Sequence, residues 1–227
     1  MNILAIDTST KNLSLAVSEN AKVLKYRNVK LKRPLSSSIM PSIQRILDEV
    51  RIPLLKLDGF AVGLGPGSFT SLRVGLATIK GLAFATGKPA VGIVSLEVLA
   101  MNVQENNTPI CVLCDAKRDL VYACIYEKEG CVLKQKNEYG LRNIQEVLKQ
   151  IKGEVLFIGD GAQLYQKEIH KAEGLIPKFA DKKIIFPQAR YMIPLAYQKI
   201  QKSKWDNIRH LVPLYMYPEH CQVKNKV

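Results

Sequence analysis

Residues 2–29 read NILAIDTSTKNLSLAVSENAKVLKYRNV, and the fold is decided there. Residues 2–7 (NILAID) form an apolar run, 12–19 (NLSLAVSE) alternate strictly, and 22–29 (KVLKYRNV) alternate again, with the polar turn TSTK between the first two. Period-2 alternation with short connections predicts three strands in an antiparallel meander. From Ser37 to Val50, Ile39, Ile43, Ile46, Leu47 and Val50 recur at helical spacing, with Pro41 placed in a presumed first turn. Residues 58–64 (DGFAVGL) read as a buried strand, Gly65-Pro66-Gly67-Ser68 as a turn, and Thr70 to Thr86 as a helix rich in Gly75, Ala77, Gly81, Ala83 and Ala85. Small residues at that density let two backbones approach closely. A strand at 89–95 and a short helix from Leu96 to Gln104 complete the order βββαβαβ.

That order is similar to one ribonuclease-H-like lobe of the actin, sugar kinase and Hsp70 class. The polar stretch QENNTP at 104–109 marks a boundary, after which the pattern restarts. Strands are predicted at 110–115, 120–127 and 130–136, a helix at 143–151 and a strand at 154–159. The expected architecture is α/β with two such lobes, a mixed five-stranded sheet in the first (residues 1–103) and a smaller second lobe (104–227). A last helix from Arg190 to Lys202 and the tail after it are free in this reading to pack back on the first lobe. The final residues are expected to be disordered.

Composition narrows the function classes. Of the 227 residues 47% are hydrophobic and 23% charged, and mean hydropathy is near zero, the balance of a globular protein. Asp7, Lys56, Asp58, Arg73 and Lys80 interrupt the most apolar regions, and no signal-like apolar run precedes Asp7, so a cytoplasmic protein without a membrane span is expected. Five cysteines, an odd number spread along the chain, fit reduced thiols. Cys111 and Cys114 lie three apart in a predicted strand and so face opposite ways, which argues against a metal or redox pair. Three histidines, His170, His210 and His220, in no metal-binding spacing, predict no metal site. The net charge of +13 attracts polyanions or serves only solubility.

Two turns carry the chemical candidates. Asp7-Thr8-Ser9-Thr10 offers amides and hydroxyls to a phosphate, with Asp7 holding a magnesium-bound water, or it simply caps its own turn. Gly65-Pro66-Gly67-Ser68 precedes a helix N-terminus and is either an anion site or a tight turn with Ser68 or Thr70 as N-cap. It lacks the Walker spacing.

Taken with GPGSFTSLRVG at 65–75, LAFATGKPAVGIVSLEVLA at 82–100, DAKRDLVYACIYE at 115–127 and GDGA at 159–162, the N-terminal IDTST makes the chain resemble the TsaB (YeaZ) family over nearly its whole length. The resemblance implies a protein of bacterial tRNA threonylcarbamoyladenosine synthesis, acting at N6 of adenosine 37. It implies a non-catalytic scaffold that binds and activates the transferase TsaD as a heterodimer, with the ATPase TsaE in a larger assembly, tRNA reached indirectly, and a homodimer when alone. No H-x-x-x-H is present, so the metal site of TsaD has no counterpart here. A degenerate nucleotide cleft is expected at Asp7, Thr8, Ser9, Gly65, Pro66, Gly67, Ser68, Gly159, Asp160 and Gly161, requiring no cofactor and binding ATP or ADP with magnesium weakly at most. The chain departs from the family pattern at Pro34-Leu35-Ser36-Ser37, at Ser71 and at Tyr215-Met216-Tyr217.

The apolar residues Ile39, Ile43, Leu72, Leu76 and Ile79 with Gly75 are expected at the partner interface, or else buried against their own sheet. Under the first reading Gly75→Arg or Ala77→Arg leaves the chain folded and abolishes binding. Rival functions are a kinase-like ATPase using Asp7 and the Gly65 turn, and a glycoprotease-like peptidase, for which Ser68 has no histidine nearby in sequence.

Overall fold

The computed structural model describes residues 1–103, 107–130 and 132–217. In chain order the first elements are β1 (Asn2–Asp7), β2 (Asn12–Glu19), β3 (Lys22–Lys30), α1 (Leu35–Val50), β4 (Gly59–Gly63), α2 (Phe69–Thr86), β5 (Ala90–Ile93) and α3 (Ser95–Met101). They are followed by β6 (Ile110–Lys117), β7 (Leu120–Glu129), β8 (Val132–Gln135), β9 (Gly140–Asn143), α4 (Ile144–Leu148), β10 (Gly153–Ile158), α5 (Asp160–Leu164), α6 (Gln166–His170), β11 (Leu175–Phe179) and α7 (Met192–Gln201). Unit 1 comprises Met1–Asn102 with Phe186–Pro213, and unit 2 comprises Val103–Ile185 with the segment from Leu214. Among the described residues no helix is long and apolar enough to cross a membrane. The expected tail disorder, Cys131, Cys221 and His220 lie outside the described residues.

Unit 1 is a five-stranded sheet in the order β3-β2-β1-β4-β5. β1–β2 and β2–β3 pair antiparallel, β1–β4 and β4–β5 parallel. The period-2 pattern sorts side chains to two faces. Leu4 and Ile6 of β1 join Leu13, Leu15 and Val17 under α1 and α2, while Ile3 and Ala5 join Ala16, Ala61 and Val91 under α7, with Val98 of α3. A parallel pair buried on both sides reads as a continuous apolar run, which is what FAV in β4 is. Phe186–Pro213, counted with the second lobe in the sequence reading that left the last helix free to pack on the first, lies in unit 1. Met192, Ile193, Ala196 and Ile200 of α7 bury against the unit 1 sheet.

Helix α1 begins two residues before the expected Ser37. The hydroxyls of Ser37 and Ser38 both donate to the Pro34 carbonyl, at 2.9 and 3.0 Å, so the serine run is wound into the helix and Pro41 falls at its seventh position.

Unit 2 carries a six-stranded sheet ordered β11-β10-β6-β7-β8, with β9 paired to β7. β6–β7 is antiparallel, and β6–β10 and β10–β11 are parallel. With β9 left aside and read from β8, the order is third, second, first, fourth, fifth, as in unit 1. The duplicated ribonuclease-H-like topology is thus present in both units. β9 and β11 are the strands missing from the expected pattern, and the helix expected at 143–151 is the shorter α4.

Candidate functional site

In unit 1 the candidate turns converge on Asp7, at the end of β1 and 1% exposed. Its Oδ1 accepts from the Ser9 N–H at 2.9 Å and the Ser9 hydroxyl at 2.6 Å, and its Oδ2 accepts from the Ser95 hydroxyl at 2.6 Å. Ser95 Oγ in turn accepts from the Gly65 N–H at 3.0 Å, and the Ser95 N–H donates to the Gly65 carbonyl at 2.8 Å. The Ser68 N–H donates to the Ser9 carbonyl at 2.8 Å. The two turns are therefore stitched to each other and to the start of α3. Gly67 is required here, because a Cβ would stand 2.1 Å from the Ser9 carbonyl oxygen. Gly65 and Pro66 are buried, and Ser68 is the exposed member of the turn.

This geometry is that of a turn capping itself. Thr8 donates its hydroxyl to the Ser71 carbonyl at 2.9 Å, and Thr8 and Ser9 are both buried. Burial holds the Asp7 carboxyl above its ordinary value of 3.8, opposed by the hydrogen bonds from Ser9 and Ser95. Both carboxylate oxygens of Asp7 and the hydroxyls of Thr8 and Ser9 are turned inward and engaged within the protein. Ser68 sits at the N-cap of α2 without a side-chain cap bond, its hydroxyl donating to Ser71 Oγ at 3.0 Å. Sequence reasoning missed Ser95, which it placed at the end of the strand at 89–95 and which gives no sign of the Asp7 contact 88 residues away.

Gly159, Asp160 and Gly161 belong to unit 2 and not to the cluster around Asp7. Gly159 takes a φ of +114°, and a Cβ there would lie 2.0 Å from the Leu113 carbonyl; at Gly161 the distance is 2.9 Å. The glycines let α5 start directly against the backbone of β6. Asp160 Oδ1 accepts from the Asp115 N–H at 3.0 Å, and burial, with the Asp115 charge, holds the Asp160 carboxyl above its ordinary value. Asp115 is itself drawn below its ordinary value: burial pushes it up, but an ion pair with the Lys117 ammonium and the Lys117 N–H at 2.8 Å outweigh that. Tyr217, a family departure, donates its hydroxyl to the Ala116 carbonyl at 2.7 Å and meets Tyr122 edge-on at 6.3 Å, anchoring this hairpin.

The residues expected at a partner interface lie inside the protein. Ile39 and Ile43 of α1 and Leu76 and Ile79 of α2 are core residues under the sheet, and Leu72 is buried over the Gly65 turn. A Cβ on Gly75 would stand 2.2 Å from Thr8 Oγ1, so Gly75→Arg breaks the packing of the site rather than probing a surface. The exposed side of α2 is a different stripe, Arg73, Ala77, Gly81, Phe84 and Ala85. Phe84 is 82% exposed, and Arg73 lies 3.7 Å over the Phe69 ring. Met40 is exposed on α1.

No Ser–His pair forms around Ser68 among the described residues. His170 is in unit 2, bonded through Nδ1 to the Gln166 carbonyl and stacked on Phe179 at 5.1 Å. His210 follows Arg209, whose carbonyl accepts from Lys80, twelve residues and so about 18 Å along α2 from Ser68. Cys111 is buried in the unit 2 core, where burial pushes its thiol up.

Residues 29–222 match the family model for TsaD, tRNA N6-adenosine threonylcarbamoyltransferase. The tRNA threonylcarbamoyladenosine biosynthesis protein TsaB of Escherichia coli is 30% identical over 95% of this chain and 94% of its own length. The chain belongs to the TsaB family. The Bacillus subtilis TsaB is 32% identical over 77% of each chain. Among solved structures, YeaZ from Pseudomonas aeruginosa superposes with a TM-score of 0.78 at 22% identity, covering 94% of this TsaB-family chain and 99% of that chain. A component of (R)-2-hydroxyglutaryl-CoA dehydratase from Acidaminococcus fermentans shares the fold at a TM-score of 0.53 and 11% identity.

Proposed function

We propose that this TsaB-family chain is the non-catalytic partner of a TsaD transferase, required for threonylcarbamoyl transfer to N6 of adenosine 37 in tRNA. The observation that carries the reading is the inward-turned Asp7: a kinase-like active site needs that carboxylate free for magnesium, and here both of its oxygens are used by Ser9 and Ser95. Activity would then come from the partner, and this chain needs no nucleotide of its own. TsaE joins the larger assembly.

The exposed α2 stripe supports the same reading. Ala77 and Gly81 leave room for a partner helix to approach closely, and Phe84 offers an apolar anchor with little of its surface covered by its own chain. Without TsaD the stripe seats a second copy of the chain. Ala77→Arg is the direct test, because Ala77 is exposed and the substitution leaves the core alone. The folded variant is expected to lose co-elution with TsaD and to lose modified tRNA in a reconstituted mixture. Retained co-elution would remove this face from the reading, and ATP turnover by the isolated wild-type chain would restore the kinase-like alternative.

A further inference from the structure

The charge excess is divided unequally. Unit 1 holds 18 of the 33 Lys and Arg and 7 of the 20 Asp and Glu, a net of +11, whereas the rest of the chain holds 15 and 13, a net of +2. Solubility is served by mixed charge on both units, so a load confined to one calls for a different cause.

Part of that load lies on β3, the outermost strand of its sheet, and on the turn beside it. One face of β3 is committed: Lys25 and Arg27 share Glu49 of α1 with Arg45. The other face is set by the register, which puts Lys30 opposite Asn12, Asn28 opposite Ser14 and Tyr26 opposite Ala16. Ser14 Oγ accepts from the Ala189 N–H at 2.8 Å, which fixes the Ala189–Tyr191 turn against this face. The Arg190 guanidinium thereby lies 4.4 Å over the Tyr26 ring and 4.7 Å over the Tyr191 ring. Lys11 sits 5.4 Å over Phe186. Among the described residues no carboxylate pairs with Lys11, Lys30 or Arg190, and the buried Arg190 Nε has no hydrogen-bond partner.

We propose that this face of unit 1, formed by Lys11, Tyr26, Lys30, Phe186, Arg190 and Tyr191, docks RNA. The inference rests on the reading that the chain works in tRNA modification and adds a direct contact to it. Lys11, Lys30 and the outer nitrogens of Arg190 take backbone phosphates, and an unpaired base lies on Tyr26, which is 43% exposed. Two aromatic rings beside one guanidinium restrict its swing, and its planar fork suits a phosphate. An acidic protein would use the cations and leave the aromatic faces without a role.

The test uses the full-length chain and a transcribed tRNA with adenosine at position 37, titrated by fluorescence anisotropy at several salt concentrations. The double variant Lys11→Glu, Lys30→Glu is expected to weaken binding at least about tenfold and to lower the salt slope by about 1.5, as for two lost phosphate contacts. The variant Lys167→Glu, Lys171→Glu makes the same charge change on exposed positions of unit 2 and is expected to alter affinity less than about twofold. Arg190→Lys keeps the charge and is expected to weaken binding with the salt slope unchanged. Equal losses in both double variants, no loss in either, or displacement of a poly-glutamate peptide rather than tRNA would each overturn the proposal. Modified nucleoside formed in a reconstituted mixture, with and without the wild-type chain, is read separately. A chain dispensable there overturns the functional reading, while the anisotropy decides the RNA face.

Discussion

Asp7 and Asp115 stand at corresponding ends of the first strands of two sheets with the same order, and their surroundings differ throughout. Asp7 is sealed beneath the Gly65 turn with three donors on its oxygens, whereas Asp115 keeps an exposed lysine partner and is itself only partly covered. The cause lies in the chain just after the strand that pairs parallel with the first strand of each sheet, β4 in unit 1 and β10 in unit 2. In unit 1 the chain makes a turn at residues 64–68 before an 18-residue helix, and that turn folds over the carboxylate. In unit 2 the five-residue α5 starts immediately after Gly159, and the Asp160 carboxylate accepts from the Asp115 N–H. One topology thus gives a stapled turn in one lobe and an open hairpin, tied down by Tyr217, in the other. The charge is split along the same line, with the excess on the unit whose turn is closed.

The two units share one device, the glycine laid against the first strand, and removing it should have the largest effect. Gly67→Ala and Gly159→Ala each drive a Cβ into a backbone carbonyl, at 2.1 and 2.0 Å. Each is expected to abolish cooperative folding of its unit, seen as loss of amide protection in hydrogen exchange confined to that unit. Survival of either fold would break the equivalence of the two turns.

The carboxylates should separate the units next. Asp7→Ala leaves the Ser9 and Ser95 hydroxyls without their acceptor in a buried site and is expected to cost about 3 kcal/mol in denaturant unfolding. Asp115→Ala removes a partly exposed pair and is expected to cost less than about 1 kcal/mol. Equal costs would mean that the closed turn is not what distinguishes the lobes.

Their pH dependence should have opposite signs. Asp7 binds its proton more tightly folded than unfolded, so its contribution is complete below its ordinary value of 3.8 and is lost as pH rises through the raised folded value. Asp115 is lowered, so its contribution is present above 3.8 and is lost as pH falls through the lowered value. The stability of the native chain relative to Asp7→Asn is therefore expected to fall as pH rises from 4 toward neutrality, and relative to Asp115→Asn to fall on acidification below 4. The smallest effect belongs to the α2 surface: Ala77→Arg should change unfolding free energy by less than about 0.5 kcal/mol, against roughly 3 kcal/mol for Ile79→Ala in the core.

The strands of unit 1 were legible because alternation is strict in β2 and the apolar run of β4 is short and bounded by turn residues. β11, LIPKF, was not, since it is short, carries Pro177 and alternates between half-buried and exposed positions with little apolar contrast. The helix faces were half legible. Periodicity finds Ile39, Ile43 and Ile79 on one side, and physics leaves open whether that side meets its own sheet or a partner; here the sheet claims it. Phe84 went unread because an aromatic within an apolar helix looks like core. The family signature at 65–75 located the stitched turn, but not that Ser95 closes it, a contact that exists only once β5 lies beside β4. The Tyr26–Arg190–Tyr191 cluster joins residues far apart in the chain and left no mark in either segment.

The central claim is that this chain supplies no chemistry of its own and is nevertheless required. Threonylcarbamoyladenosine formation on tRNA, read as modified nucleoside by mass spectrometry in a mixture of the adenylate-forming synthetase, TsaD and TsaE from the same organism, tests it most directly. Product formed only when the chain is added is the predicted result, and equal product in its absence would contradict it.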